Sequence, residues 1–177
     1  MKKIALVAYL LLFAGCGQET SALPGDGLVV DCTSIQSIAT NNKVTELPCL
    51  DGSGSVDLGQ IKGPALVNVW GSWCGPCKEE IPIFRGFYEK AKGKVSLVGV
   101  DVEEANFDDG RLFVERHGIT WPNLYDPDGR SRKYFGMGVP VTWFIAPDGS
   151  VAGKKIGVIK DEAELIALTE KYLKVKL

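Results

Sequence analysis

The sequence has no excess of basic charge and only one histidine, and these two absences exclude classes of function. Its 20 Lys and Arg residues face 22 Asp and Glu residues, for a net charge of −2. No basic field therefore exists to attract nucleic acid. The single histidine, His117, precedes Gly118 at a predicted helix end, where a surface residue or a charge partner of the helix is expected. Internal repeats and low-complexity segments are also absent.

The amino-terminal segment is typical of an export signal. Lys2 and Lys3 precede an apolar run over residues 4–14, about half the roughly 20 residues that a membrane-spanning helix needs. The small residues before Cys16 resemble a bacterial lipobox, with Phe13 where that pattern usually has Leu. The resemblance implies a lipoprotein signal peptide over residues 1–16 that ends at a lipidated Cys16. Ordinary cleavage and an uncleaved anchor are the alternatives.

The rest of the chain predicts a tether over residues 17–43 and one domain over residues 44–177. Within the tether, residues 28–30 predict a short strand. In the domain, apolar runs and helical periodicity alternate, and a predicted hairpin and a final helix follow. The predicted strands are 65–70, 95–100, 121–125, 141–146 and 151–158, and the predicted helices are 75–92, 107–117, a stretch ending near Phe135, and one capped by Asp161. This order predicts an α/β fold with a central mixed β-sheet flanked by helices on both faces.

A pair of cysteines follows the first buried strand and begins the next helix. In Trp73-Cys74-Gly75-Pro76-Cys77, Cys74 would occupy the N-cap, where free main-chain N–H groups stabilise a thiolate and lower its pKa. We predict that Cys74 is exposed and attacks a partner disulfide, and that Cys77, more buried, resolves the mixed disulfide. Pro76 suits the first helical turn, and Trp73 would cover one side of the site.

A second element precedes a late strand. A cis Val139–Pro140 bond opposite the cysteine pair would leave the Val139 main chain free to pair with an incoming peptide. Trp73, Gly75, Pro76, Val139 and Pro140 are therefore the predicted substrate-binding residues, and we expect no metal and no cofactor.

The two motifs together resemble the thioredoxin superfamily, and within it the TlpA/ResA-like group of membrane-tethered disulfide reductases. The resemblance covers residues 44–174 and implies a thioredoxin fold, with residues 106–135 forming that group's strand–helix insertion. It also implies exported protein substrates with disulfides, such as apocytochrome c, and a membrane-embedded electron donor. A monomer is expected. Asn68 stands where cytoplasmic thioredoxins have a buried Asp, so the base that assists Cys77 stays unassigned.

Three alternatives remain open for the Cys74–Cys77 pair. It could be half of a zinc site, a static disulfide, or the centre of an oxidant or isomerase rather than a reductase. Gly75-Pro76 favours reduction, because the same dipeptide in thioredoxin accompanies a potential of about −270 mV. A non-catalytic metal-binding lipoprotein is the alternative from another functional class.

The remaining cysteines and a group of acids complete the prediction. Cys32 and Cys49 are expected to form a structural disulfide, with a redox relay to Cys74 as the alternative. The acidic residues Glu103, Glu104, Asp108 and Asp109 are expected to form a solvated loop.

Overall fold

A computed structural model of the chain describes residues 27–39, 44–136 and 138–177. The predicted signal peptide, the lipid site at Cys16 and much of the predicted tether lie outside those residues. Within the described ranges, no helix combines the length and the apolar character needed to cross a bilayer.

The secondary structure follows the predicted alternation after an added amino-terminal hairpin. The strands are β1 (Glu46–Pro48), β2 (Ser55–Asp57), β3 (Ala65–Trp70), β4 (Ser96–Val102), β5 (Asn123–Asp126), β6 (Val141–Ile145) and β7 (Val151–Ile156). The α-helices are α1 (Gly75–Ala91), α2 (Phe107–Arg116), α3 (Arg132–Phe135) and α4 (Glu162–Leu173). Two short 3-10 helices span Cys32–Ser34 and Leu58–Gln60.

Five strands form the central sheet in the order β5-β4-β3-β6-β7. Strands β3, β4 and β5 are parallel, whereas β6 runs antiparallel to β3 and to β7. The insertion contributes α2, β5 and α3, and β5 extends the parallel edge. The predicted α/β thioredoxin fold with a mixed sheet is confirmed.

The sheet separates two apolar clusters, because successive side chains of a strand point to opposite faces. On β3, which is buried along its whole length, Leu66 and Trp70 pack with α1, α2 and α4. Val67 and Val69 pack on the other face with the amino-terminal hairpin and with Tyr134 of α3. Burial on both faces is what a continuous apolar run in a central strand predicts.

The strand predicted at residues 28–30 is absent. Leu28 is 69% exposed, and the main-chain N–H groups of Gly27 and Leu28 donate to the carbonyl groups of Glu115 and Ile119. The partner of this segment is thus the end of α2 and the loop after it.

Cys32 and Cys49 form a disulfide with a Cα–Cα distance of 6.0 Å. Cys49 follows β1 and bridges to Leu124 of β5, so the bond attaches the segment of the first 3-10 helix to the sheet edge. Both cysteines are buried. The exclusively structural role of this disulfide stays a prediction.

We expect Cys32→Ala/Cys49→Ala to lower the free energy of unfolding by about 3 kcal/mol, because the unfolded chain loses a closed loop. Urea unfolding under oxidising conditions measures this loss, and the disulfide-reducing activity of the folded variant should be unchanged. After mild reduction of the wild-type protein, only two thiols should be alkylated readily. Four thiols reacting together, or loss of turnover in the folded variant, would favour the relay.

Candidate active site

The start of α1 has the geometry that the cysteine motif predicts. Cys74 is the N-cap residue, with an extended backbone at φ −83° and ψ 104°. Its Sγ accepts a hydrogen bond of 3.2 Å from the main-chain N–H of Cys77. Pro76 lies in the first turn, where a missing N–H group costs no helical hydrogen bond. One of the free N–H groups of the helix therefore points at the Cys74 sulfur.

Cys74 and Cys77 are joined in a disulfide with an S–S distance of 1.98 Å and a Cα–Cα distance of 5.3 Å. Cys77 is 1% exposed and Cys74 is 4% exposed, so the prediction of an exposed Cys74 is wrong in this oxidised state. The reason is packing, since both sulfurs lie in the apolar cluster around Trp70 and Ile81. A partner must approach along the surface beside them.

The residues flanking the cysteines form that surface. Trp73 is 53% exposed, and its indole N–H donates to the carbonyl of Val102 at 3.1 Å. Gly75 and Pro76 are exposed at the helix start. The indole of Trp73 is thus fixed to the end of β4, and its role as a cover of the site stays a prediction.

The Val139–Pro140 bond is cis, and the sheet places it at the end of the molecule that carries the cysteines. Val69 pairs with Val141 in the antiparallel ladder of β3 and β6, so Pro140 lies beside the end of β3 that leads to Cys74. Val139 also packs against the cluster that contains both cysteines. The structure therefore brings the two predicted motifs together.

Trp73 and Val139 line one cleft of about 210 Å³. Its other walls include Val102, Glu103 and Arg132, and the last two form an ion pair across it. Arg132 belongs to α3 and Glu103 follows β4, so the strand–helix insertion supplies part of this wall. The cleft thus combines apolar and charged lining residues, and Trp73 connects it to the adjacent Cys74.

A buried carboxyl group that the sequence analysis missed lies behind the cysteines. Glu80 is 1% exposed and lies one turn after Cys77 on α1. Its Oε1 accepts a hydrogen bond of 2.6 Å from the main-chain N–H of Ile159. Burial raises the pKa of Glu80 to about 7, although Ile159, Asn68 and Lys155 oppose the shift.

Asn68 connects this carboxyl group to the sheet. It is buried in β3, and its Nδ2 donates to Thr142 Oγ1 on β6 at 3.3 Å. Its amide also bonds to Glu80 and stabilises the ionised form. A buried carboxyl group from α1 is thus hydrogen-bonded to the residue at position 68. The available signal was a Glu three residues after Cys77, on the apolar face that Ile81 and Phe84 continue.

The predicted solvated acidic loop is wrong for Glu104, which is 8% exposed. Its carboxylate accepts hydrogen bonds from both the main-chain N–H and the hydroxyl of Ser72. Ser72 lies two residues before Cys74, so Glu104 fixes the turn that leads into the site. The loop is folded inwards because the turn after β3 presents two donors to it.

His117 ends α2 beside a second cleft, which Ser72 and Lys78 also line. Its ring packs at a tilt against that of Phe113, with centroids 4.2 Å apart. Burial, and then the charges of Lys78 and Arg116, lowers the pKa of His117. This shift favours the neutral form of the imidazole.

Among the described residues, one group of potential metal ligands has its donor atoms within 4.8 Å of one another, namely Cys32, Cys49 and Asp51. Its two sulfurs are bonded to each other. Cys74 and Cys77 form a separate disulfide, so the four cysteines do not meet as the tetrahedral zinc set that the sequence left open.

A dithiol pair at a helix start on a thioredoxin-type sheet defines a thiol–disulfide oxidoreductase fold and site. The chain belongs to the AhpC/TSA family, which it matches over residues 38–154. It is 31% identical over 128 residues to the thiol:disulfide interchange protein DsbE of Pseudomonas fluorescens biotype C, covering 71% of this chain and 70% of that protein.

Two further comparisons agree. The thiol-disulfide oxidoreductase ResA of Oceanobacillus iheyensis is 30% identical over 103 residues, which cover 55% of this chain and 52% of that protein. The chain thus matches about half of the length of that relative. The crystal structure of a DsbF homologue from Corynebacterium diphtheriae superposes with a TM-score of 0.62 at 25% identity, over 83% of this chain and 99% of that one. The chain is thus a thiol–disulfide oxidoreductase of the ResA/DsbE type, and the predicted enzyme class is confirmed.

Proposed function

We propose that the chain is a membrane-tethered reductase that reduces disulfides of exported proteins, such as apocytochrome c, through Cys74 and Cys77. One observation carries the assignment of the site, namely the N–H of Cys77 that points at Cys74 Sγ at the start of α1. This contact supports Cys74 as the attacking thiolate, because a helix N-terminus stabilises a negative charge.

The proposed reaction transfers two electrons to the substrate. The Cys74 thiolate attacks one sulfur of the substrate disulfide, so that a mixed disulfide forms and the other substrate sulfur leaves as a thiolate. The Cys77 thiolate then attacks Cys74 Sγ, which releases the second substrate thiolate and leaves the Cys74–Cys77 disulfide. A dithiol donor at the membrane restores the reduced pair by the reverse exchange.

Glu80 is the group best placed to accept the proton of Cys77. A carboxyl group with a pKa of about 7 is half ionised at neutral pH, which suits a proton acceptor. It lies one helical turn from Cys77, in the same buried layer. Asn68 cannot titrate, and it acts by bonding to Glu80.

The cleft beside the disulfide supports binding of an extended peptide. The position of Val139 on the cleft wall supports main-chain pairing between Val139 and the substrate. Trp73 would cover the substrate from the other side, next to Gly75 and Pro76. The proposed exchange uses two cysteines and a proton acceptor, so the proposal includes no metal and no organic cofactor.

The tether and the direction of the reaction rest on the sequence. The lipobox-like segment supports lipidation of Cys16, and Cys16→Ser should release the protein from the membrane fraction.

Gly75-Pro76 supports a reducing potential near the roughly −270 mV of thioredoxin. Equilibration of the Cys74–Cys77 pair with a dithiothreitol series measures it. A value near about −120 mV, typical of a strong oxidant, would overturn the reductase assignment.

A further inference from the structure

Asp101 is a buried acid near the active site. None of the charged groups that act on it is a cation. Asp101 lies at the end of β4 and is 0% exposed. The charged groups that act on it are Glu104 and Asp109, both acids. Its carboxyl group packs against α2 at Gly110, where a Cβ would lie 1.8 Å from Asp101 Oδ2. The glycine thus leaves space for this carboxyl group, and the charged groups around it supply no counter-ion.

Among the neighbouring side chains, the carboxyl of Glu104 acts most strongly on Asp101, as its hydrogen-bond partner. No N–H or hydroxyl group of the described residues donates to either Asp101 oxygen. Two ionised carboxylates offer only acceptors, so a hydrogen bond between them requires a proton. Burial, with Glu104 and Asp109, raises the pKa of Asp101 to about 10, and Asp101 therefore carries that proton at neutral pH. The facing phenol on β5, Tyr125, is neutral in the same range, since burial and these acids raise its pKa.

Glu104 transmits this contact to the cysteine turn. Its carboxylate accepts the main-chain N–H of Ser72 and, at 2.6 Å, the Ser72 hydroxyl. The neighbouring Trp73 is held by the carbonyl of Val102 at the end of the same strand. The end of β4 therefore fixes both residues that precede Cys74.

We propose that Asp101 is a positioning residue for the thiol–disulfide exchange, whose protonated carboxyl donates to the Glu104 carboxylate and thereby fixes the Ser72 turn that presents Cys74. The pair then carries a single negative charge on Glu104, and this carboxylate accepts hydrogen bonds from Ser72 and from Asp101. Ionisation or removal of Asp101 would leave a buried carboxylate without one of its donors. An Asn at position 101 keeps an N–H donor of similar shape and should preserve the contact.

Two variants at position 101 test the proposal. Asp101→Ala should accelerate amide hydrogen exchange at Ser72 by about tenfold, because it removes a hydrogen bond to a charged group. The same variant should slow the reduction of a disulfide-linked peptide by about tenfold. Asp101→Asn should stay within about twofold of wild type. Asp108→Ala, at an exposed acid of α2, is the control and should change neither rate. Equal impairment in the Asn and Ala variants, or no change in either, would overturn the proposal.

A measurement on the unaltered protein covers the case in which Asp101→Ala fails to fold. The carbon-13 shift of the Asp101 carboxyl group, followed by NMR from about pH 5 to about pH 9, should stay that of the protonated acid, whereas an ordinary Asp ionises near 3.9. A shift of the ionised form at neutral pH would contradict the proposal even if the variants behaved as expected. The proposal requires a protonated Asp101, so this measurement tests it without any substitution, and the exchange rates of the variants test the positioning role.

Discussion

Cys74→Ala and Cys77→Ala should each reduce the turnover of disulfide reduction to the rate of the reaction without enzyme. The exchange needs two sulfurs of the protein, because the first forms the mixed disulfide and the second releases it. Reduction of insulin by dithiothreitol, followed as precipitation of the released chains, measures this loss. The structure gives no second route, since the other described cysteines are already bonded to each other.

The matched control for these variants is Cys32→Ala/Cys49→Ala. This variant also loses one disulfide of the protein, but that disulfide is separate from the Cys74–Cys77 pair. Turnover close to wild type is expected once the lower stability of this variant is allowed for. Full activity in either active-site variant would show that the reacting sulfur lies elsewhere.

Glu80→Gln should slow the resolution of the mixed disulfide by about a hundredfold at neutral pH, because the substitution removes a proton acceptor and keeps the shape. In wild type, the rate should fall as the pH drops through about 7, where Glu80 becomes protonated. The Gln variant should lack this step. Single-turnover mixing of the reduced protein with a disulfide-linked peptide measures both quantities.

The control for Glu80→Gln is Glu79→Gln, at the adjacent exposed position of the same helix. Its rate and pH profile should match wild type. If Glu80→Gln kept both the wild-type rate and the wild-type pH profile, Glu80 would have no part in the proton transfer.

The same carboxyl group has a signature in stability. Because the pKa of Glu80 is raised from 4.5 to about 7 by folding, the folded state retains a proton that the unfolded state has lost between these values. The free energy of unfolding therefore falls as the pH rises through this window, and levels off above it. Urea unfolding across the window should show this slope in wild type and a weaker one in Glu80→Gln.

Much of the fold could be predicted because the decisive segments have local patterns. The run over β3 is apolar at nearly every position, as a strand buried on both faces requires. The spacing of Ile81, Phe84 and Tyr88 gives the apolar face of α1. Residues 28–30 have the same composition as a short strand, but whether a strand forms depends on a partner edge that lies far away in sequence.

The part of the site that could be predicted is the part that is contiguous in sequence. The N-cap position of Cys74 follows from a strand, a turn and a Pro in the first helical turn. Glu80 and Glu104 are harder to predict, because sequence patterns treat charged residues as solvated, and the position of Glu80 on the apolar face of α1 is the one signal against that rule. Their burial depends on donors that arrive from Ile159 and Ser72, which are distant along the chain.

The exposure of Cys74 was mispredicted for a related reason. A helix N-cap is usually near the surface, but here the oxidised sulfur packs among Trp70 and Ile81. The neighbouring cleft that Trp73 and Val139 line is likewise visible in the sequence only as two separate motifs.

The central claim is that Cys74 attacks the partner and Cys77 resolves the mixed disulfide. Incubation of the reduced single-cysteine variants with a disulfide-linked peptide, followed by peptide mapping, tests it most directly. The account predicts a stable mixed disulfide through Cys74 in Cys77→Ala, and little or none through Cys77 in Cys74→Ala. Equal trapping by the two variants, or trapping through Cys77 alone, would contradict it.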